Sequence, residues 1–79
     1  MIEEHDSIME EKFNKQKEYV TSGMAVYGGS FVKALGDALT CADGINSRKI
    51  KNAFPEYWKR YLREGKYFIE SEQAGEDQE

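Results

Sequence analysis

Seven basic residues fall between Arg48 and Lys66, with aromatic residues set among them. Arg48, Lys49, Lys51, Lys59, Arg60, Arg63 and Lys66 can each hold a phosphate or a carboxylate. Phe54, Tyr57, Trp58, Tyr61 and Tyr67 offer flat faces on which a nucleobase can stack. The same residues have a plainer explanation. Phe54, Tyr57, Trp58, Tyr61 and Leu62 are spaced i, i+3, i+4, i+7, i+8, which is one face of a helix. Aromatics on that face serve a core, and the bases take the solvated side. The candidate binding residues are therefore Arg48, Lys49, Lys51, Lys59, Arg60 and Arg63, facing an acidic partner protein, the chain's own acidic helix or, as the alternative, nucleic acid.

A second candidate is the turn Gly28-Gly29-Ser30 with Lys33 one turn on. A helix N-terminus presents free amides and partial positive charge, which suits a phosphate or carboxylate. The stretch has neither a Walker pattern nor G-x-G-x-x-G, and a Ser-capped inter-helix turn explains it as well. Other chemistry is thin. His5 stands in an acidic N-terminus without a predicted partner, and Cys41 reads as a small buried hydrophobe near a helix end. Asp43-Gly44 lacks the ligands of a calcium loop. A helix-turn-helix over residues 35–54 leaves a reading helix of only about two turns before Pro55. No nucleophile–base pair or fixed carboxylate pair is visible, so no enzyme and no cofactor are expected.

These groups must be positioned by a chain of only 79 residues, enough for one small domain. One Cys and one His cannot build a disulfide or a closed zinc site. Stability must come from apolar packing, self-association or a partner. Mean hydropathy is -0.78, but ten residues are aromatic, which argues for a folded chain. The lone cysteine, the acidic start and the lack of a run of about 18 apolar residues lead us to expect a cytoplasmic protein with no membrane span.

The net charge of -4 is segregated. Residues 1–20 carry -3 and residues 69–79 carry -5, whereas residues 45–68 carry +5. The periodicity predicts an all-α fold of three to four short helices in a small bundle, spanning residues 1–69. Helices are expected near 7–20, 30–43, 47–54 and 55–64, with an acidic disordered tail over 70–79. Ser7-Ile8-Met9-Glu10 fits a capping box, and Gly23 and Gly65 read as helix stops. Ser30 and Asn46 or Ser47 read as N-caps. Gly36, inside the second helix, suggests a close neighbour. That helix is apolar over a wide arc and is expected to be the central one, with the first helix packed on it either within the chain or across a homo-oligomer. The expected core is Met9, Phe13, Val20, Phe31, Leu35, Leu39, Ile50, Phe54, Trp58, Tyr61 and Leu62.

The run from Tyr27 to Gly36 (YGGSFVKALG), then Ala42-Asp43, Asn46, Lys49-Ile50-Lys51 and Ala53-Phe54-Pro55-Glu56-Tyr57-Trp58, ending at Tyr61, resembles small uncharacterised proteins of tailed bacteriophages and prophages. The resemblance covers about 35 central residues and stops short of the acidic ends. It carries over no catalytic or binding residue. It implies the bacterial host cytoplasm and a phage role, and small acidic phage proteins often bind and block host factors. The expected function is thus a non-enzymatic interaction protein that binds a host or phage protein, as an inhibitor of a host factor such as a defence system. Self-association as a homo-oligomer is a further expectation. The alternatives are a nucleic-acid accessory protein using segment 48–66, and a binder of a small phosphorylated ligand at Gly28-Gly29-Ser30.

Overall fold

The computed structural model describes the backbone of residues 2–77 and the side chains of residues 9–73. Four helices follow in order: α1 (Ile2–Tyr27), α2 (Ser30–Cys41), α3 (Gly44–Ala53) and α4 (Pro55–Asp77). No strand occurs among the described residues. The fold is an all-α bundle, as the periodicity predicts, but its first and last helices are far longer than expected. No helix among the described residues is long and apolar enough to cross a membrane.

α1 begins at Ile2, so Ser7 lies inside the helix and is not its cap. The helix also runs straight through Gly23 and takes in Met24-Ala25-Val26-Tyr27, which the sequence suggested as a link. α4 likewise passes through Gly65 and continues to Asp77, so residues 70–77 extend the helix where a tail was expected. Neither glycine has the positive φ of a left-handed cap. Their role is packing. A Cβ built on Gly23 would sit 2.5 Å from the Tyr61 carbonyl oxygen and 2.9 Å from the Gly65 nitrogen. One built on Gly65 would collide with the Tyr19 carbonyl. The two backbones touch where α1 and α4 cross, and only glycine leaves room for that.

Contacts rise together along the two long helices. Phe13 stacks on Trp58, Gly23 meets Gly65, and Tyr27 meets Phe68 edge-on. α1 and α4 therefore run parallel, which requires a return path between them. α2 supplies it. It descends antiparallel to α1, with Gly36 against Met24 (a Cβ would be 3.0 Å from that of Met24) and the Lys17 ammonium donating to the Ala42 carbonyl at 2.7 Å. Gly36 thus marks a close approach, as its place inside a helix suggested. α3 then crosses the base and delivers the chain to α4, whose first residue is Pro55, a position that needs no amide hydrogen bond.

The core is Phe13, Val20, Met24, Val32, Leu39, Trp58 and Tyr61, with Leu35, Ile50, Tyr57 and Leu62 packed beside it. Met24 and Val32 were not foreseen. Met9 and Phe31 were expected inside but are 56% and 59% exposed, and Phe54 is only half-buried. The axis of the bundle is the α1–α4 pair, not α2, which buries only Val32, Gly36 and Leu39. Cys41 is exposed, since α2 has no layer outside it.

The caps also differ from expectation. Gly29 precedes α2 with no side-chain cap, and Ser30 is the first helical residue. α3 is capped by Asp43, whose Oδ1 accepts from the Asn46 amide at 2.8 Å, instead of by Asn46 or Ser47. Ser47 is fully buried and donates to the Ala42 carbonyl at 3.4 Å. Asp43→Ala should cost about 1 kcal/mol in denaturant unfolding. No loss would mean that the cap contributes nothing to α3.

Candidate functional site

The six candidate basic residues do not share one face, because the break at Pro55 puts them on two helices with different axes. Arg48 and Lys51 lie on the α1 side of α3. The Arg48 guanidinium carbon stands 4.4 Å from the Phe13 ring centre, and Nη1 donates to the Gly44 carbonyl at 3.3 Å. The Lys51 ammonium is 5.7 Å from the same ring and 5.6 Å from that of Trp58. Lys12 of α1 lines the same hollow of about 310 Å³. It escaped the sequence reading because nothing local links residue 12 to residue 48.

Lys49 points to the opposite flank of α3, where it borders an apolar hollow. On α4, Arg60 pairs with Glu64 at 3.0 Å and lies 5.3 Å from the Tyr61 ring centre. The hydrogen bond to Glu64 raises the Arg60 pKa above its ordinary value. Arg63 lines a cleft with Tyr27, Glu64 and Tyr67. Lys59 is exposed. Among the described residues, no ion pair joins these bases to the acids of α1.

Gly28, Gly29, Ser30 and Lys33 form the α1–α2 turn. The Lys33 amide is already bonded to the Gly29 carbonyl at 2.8 Å, and the Gly28 amide to the Met24 carbonyl at 3.0 Å. Gly29 has open space around it, and Lys33 is exposed.

An extended apolar feature lies on α2 and α3. Ala38, Cys41, Ile50, Ala53 and Phe54 line a hollow of about 490 Å³, with Asn46 and Lys49 at its polar edge. A second hollow of about 380 Å³ adjoins it through Ala53 and Phe54, and is completed by Phe31, Pro55, Glu56 and Tyr57. Its aromatic wall is fixed by mutual contact. Phe54 stacks on Tyr57 at 5.9 Å, and Phe31 meets Phe54 at 6.1 Å and Tyr57 at 6.2 Å. Phe31, Ala38, Cys41 and Ala53 are all exposed. The signal was present in the sequence as the wide apolar arc of α2, which has more apolar residues than one neighbour can bury. No protein-family model matches the chain, and no curated protein or solved structure is significantly similar to it.

Proposed function

We propose that this is a non-enzymatic binding protein whose α2–α3 groove receives the apolar face of an amphipathic helix of another protein. The carrying observation is the continuous, exposed apolar groove running from Cys41 past Ala53 and Phe54 to Phe31. Exposed apolar surface of this kind is costly to leave in water and marks partner sites. Each hollow has one charged residue in its lining, Lys49 in the first and Glu56 in the second. A partner helix with an acid facing Lys49 and a base facing Glu56 would be favoured in one direction. The resemblance to phage proteins supports a partner in the bacterial host or in the phage itself, with inhibition of a host factor as the outcome.

Ala53 is exposed and borders both hollows, so Ala53→Glu places a charge at their junction without removing a core contact. Stability should change by less than about 1 kcal/mol. The test compares proteins captured by the native chain, by Ala53→Glu and by Lys59→Glu from host and phage-infected lysates. A genuine partner is retained by Lys59→Glu and lost, by about tenfold or more, with Ala53→Glu. Equal capture by all three sinks the groove assignment. Loss of a dimer with Ala53→Glu, measured by sedimentation, would give the groove to a second copy instead.

A further inference from the structure

Among the described side chains, the hollow between α1 and α3 gathers three cations and no carboxylate. Lys12, Arg48 and Lys51 line it, together with Met9, Phe13 and Gln16. Elsewhere the described cations include ones paired with carboxylates: Lys15 lies 3.8 Å from Glu18, and Arg60 lies 3.0 Å from Glu64. Among the described side chains, none of the three around the hollow has a carboxylate within ion-pair distance. Gathering like charges is unfavourable unless something holds them. Here the ring faces of Phe13 and Trp58 do so for Arg48 and Lys51. Both rings are buried and stacked on each other, so the floor under the cations is rigid.

Gln16 adds a neutral donor. The Trp58 indole N–H donates to Gln16 Oε1 at 3.3 Å. An indole nitrogen can only donate, so the oxygen of the amide must face it. The amide NH2 is then left for other acceptors, and Gln16 lines the hollow.

We propose that this hollow binds the phosphate dianion of a small phosphomonoester. Two or more cations and an amide donor match the several acceptor oxygens of a phosphate. A volume of about 310 Å³ is near the lower limit for small-molecule sites. Met9, 56% exposed, forms an apolar lip for the organic part of the ligand. Nucleic acid is disfavoured, because a strand needs a continuous basic track and Lys59, Arg60 and Arg63 do not line this hollow. The site is independent of the groove reading: Arg48 and Lys51 serve this side of α3, whereas Lys49, Ile50 and Ala53 serve the other.

The experiment is an NMR titration of the full chain with adenosine 5′-monophosphate, inorganic phosphate and a short oligonucleotide at fixed ionic strength. The phosphomonoester should shift the Trp58 indole signal and the amides of Phe13, Arg48 and Lys51 saturably. Lys12→Gln, an exposed position, should weaken binding about threefold or more, and Arg48→Gln with Lys51→Gln about tenfold or more. Lys59→Gln with Arg63→Gln should leave it unchanged, and thermal unfolding of each variant checks that the fold is kept. Non-saturating shifts, or equal binding by the Arg48 and Lys51 double variant, would overturn the site. Inorganic phosphate binding as tightly as the monophosphate would overturn the role given to the organic part. Tighter oligonucleotide binding that depends on Lys59 and Arg63 would transfer the anion to nucleic acid.

Discussion

Gly65→Ala is expected to lower stability by about 3 kcal/mol or more. The sign is the informative part. In a free helix, glycine to alanine is stabilising by about 1 kcal/mol. At residue 65 the new methyl would meet the Tyr19 carbonyl group, whose carbon lies 2.6 Å away, and the Gly23 nitrogen at 3.0 Å. These are backbone atoms of a helix, so no side chain can rotate aside. The helices must separate, and separation loosens Val20, Met24 and Tyr61 in the core. For a chain of this size the melting midpoint should fall by about 12 °C or more. Gly23→Ala disturbs the same crossing, so the double variant should cost less than the two losses added together. Gly29→Ser is the control. Its surroundings are open, and a serine at this uncapped N-cap should change stability by only a few tenths of a kcal/mol. A midpoint for Gly65→Ala at or above that of the native chain would falsify the close crossing.

Trp58→Ala should cost about 3–5 kcal/mol. Trp58 is 3% exposed, stacks on Phe13 at 5.5 Å with the planes 12° apart, and donates to Gln16. Its removal opens a large cavity at the base of the bundle. A 79-residue domain has a total stability of about 4–12 kcal/mol, so this variant stands near the edge of folding. Trp58→Phe separates the contributions. It keeps a ring on Phe13 and loses the indole donor, and it should cost about 1–2 kcal/mol. Urea unfolding followed by circular dichroism distinguishes the two. A Phe variant as unstable as the Ala variant would mean that the hydrogen bond, not the packing, holds this corner.

Helical periodicity made much of the fold legible. Phe13, Val20, Leu39, Trp58 and Tyr61 were identifiable as core because each belongs to an apolar series with a 3.6-residue repeat. Gly23 and Gly65 were misread for a physical reason. Glycine ends helices and also lets helices touch, and the choice depends on a partner more than 40 residues away. Phe31 was misread because apolarity reports what avoids water, not what covers it, and α2 has no outer layer. The site suffered from the same blindness. Arg48, Lys51, Lys59, Arg60 and Arg63 looked like one basic face along the chain. Pro55 turns the axis between them, and Lys12 joins Arg48 and Lys51 from a different helix.

The parallel pairing of α1 with α4 also constrains the order of assembly. Phe13 and Trp58 must meet across most of the chain, and the crossing of Gly23 with Gly65 closes a loop that contains both α2 and α3. A fragment ending before α4 keeps α2 against α1 but loses the larger part of the surface that α1 packs on, and a helix with one side unpaired is marginal in water. Local contacts cannot complete this core step by step. Folding must therefore be a late, nearly all-at-once event with a substantial loop-closure cost, slower than in an up-and-down bundle of equal length.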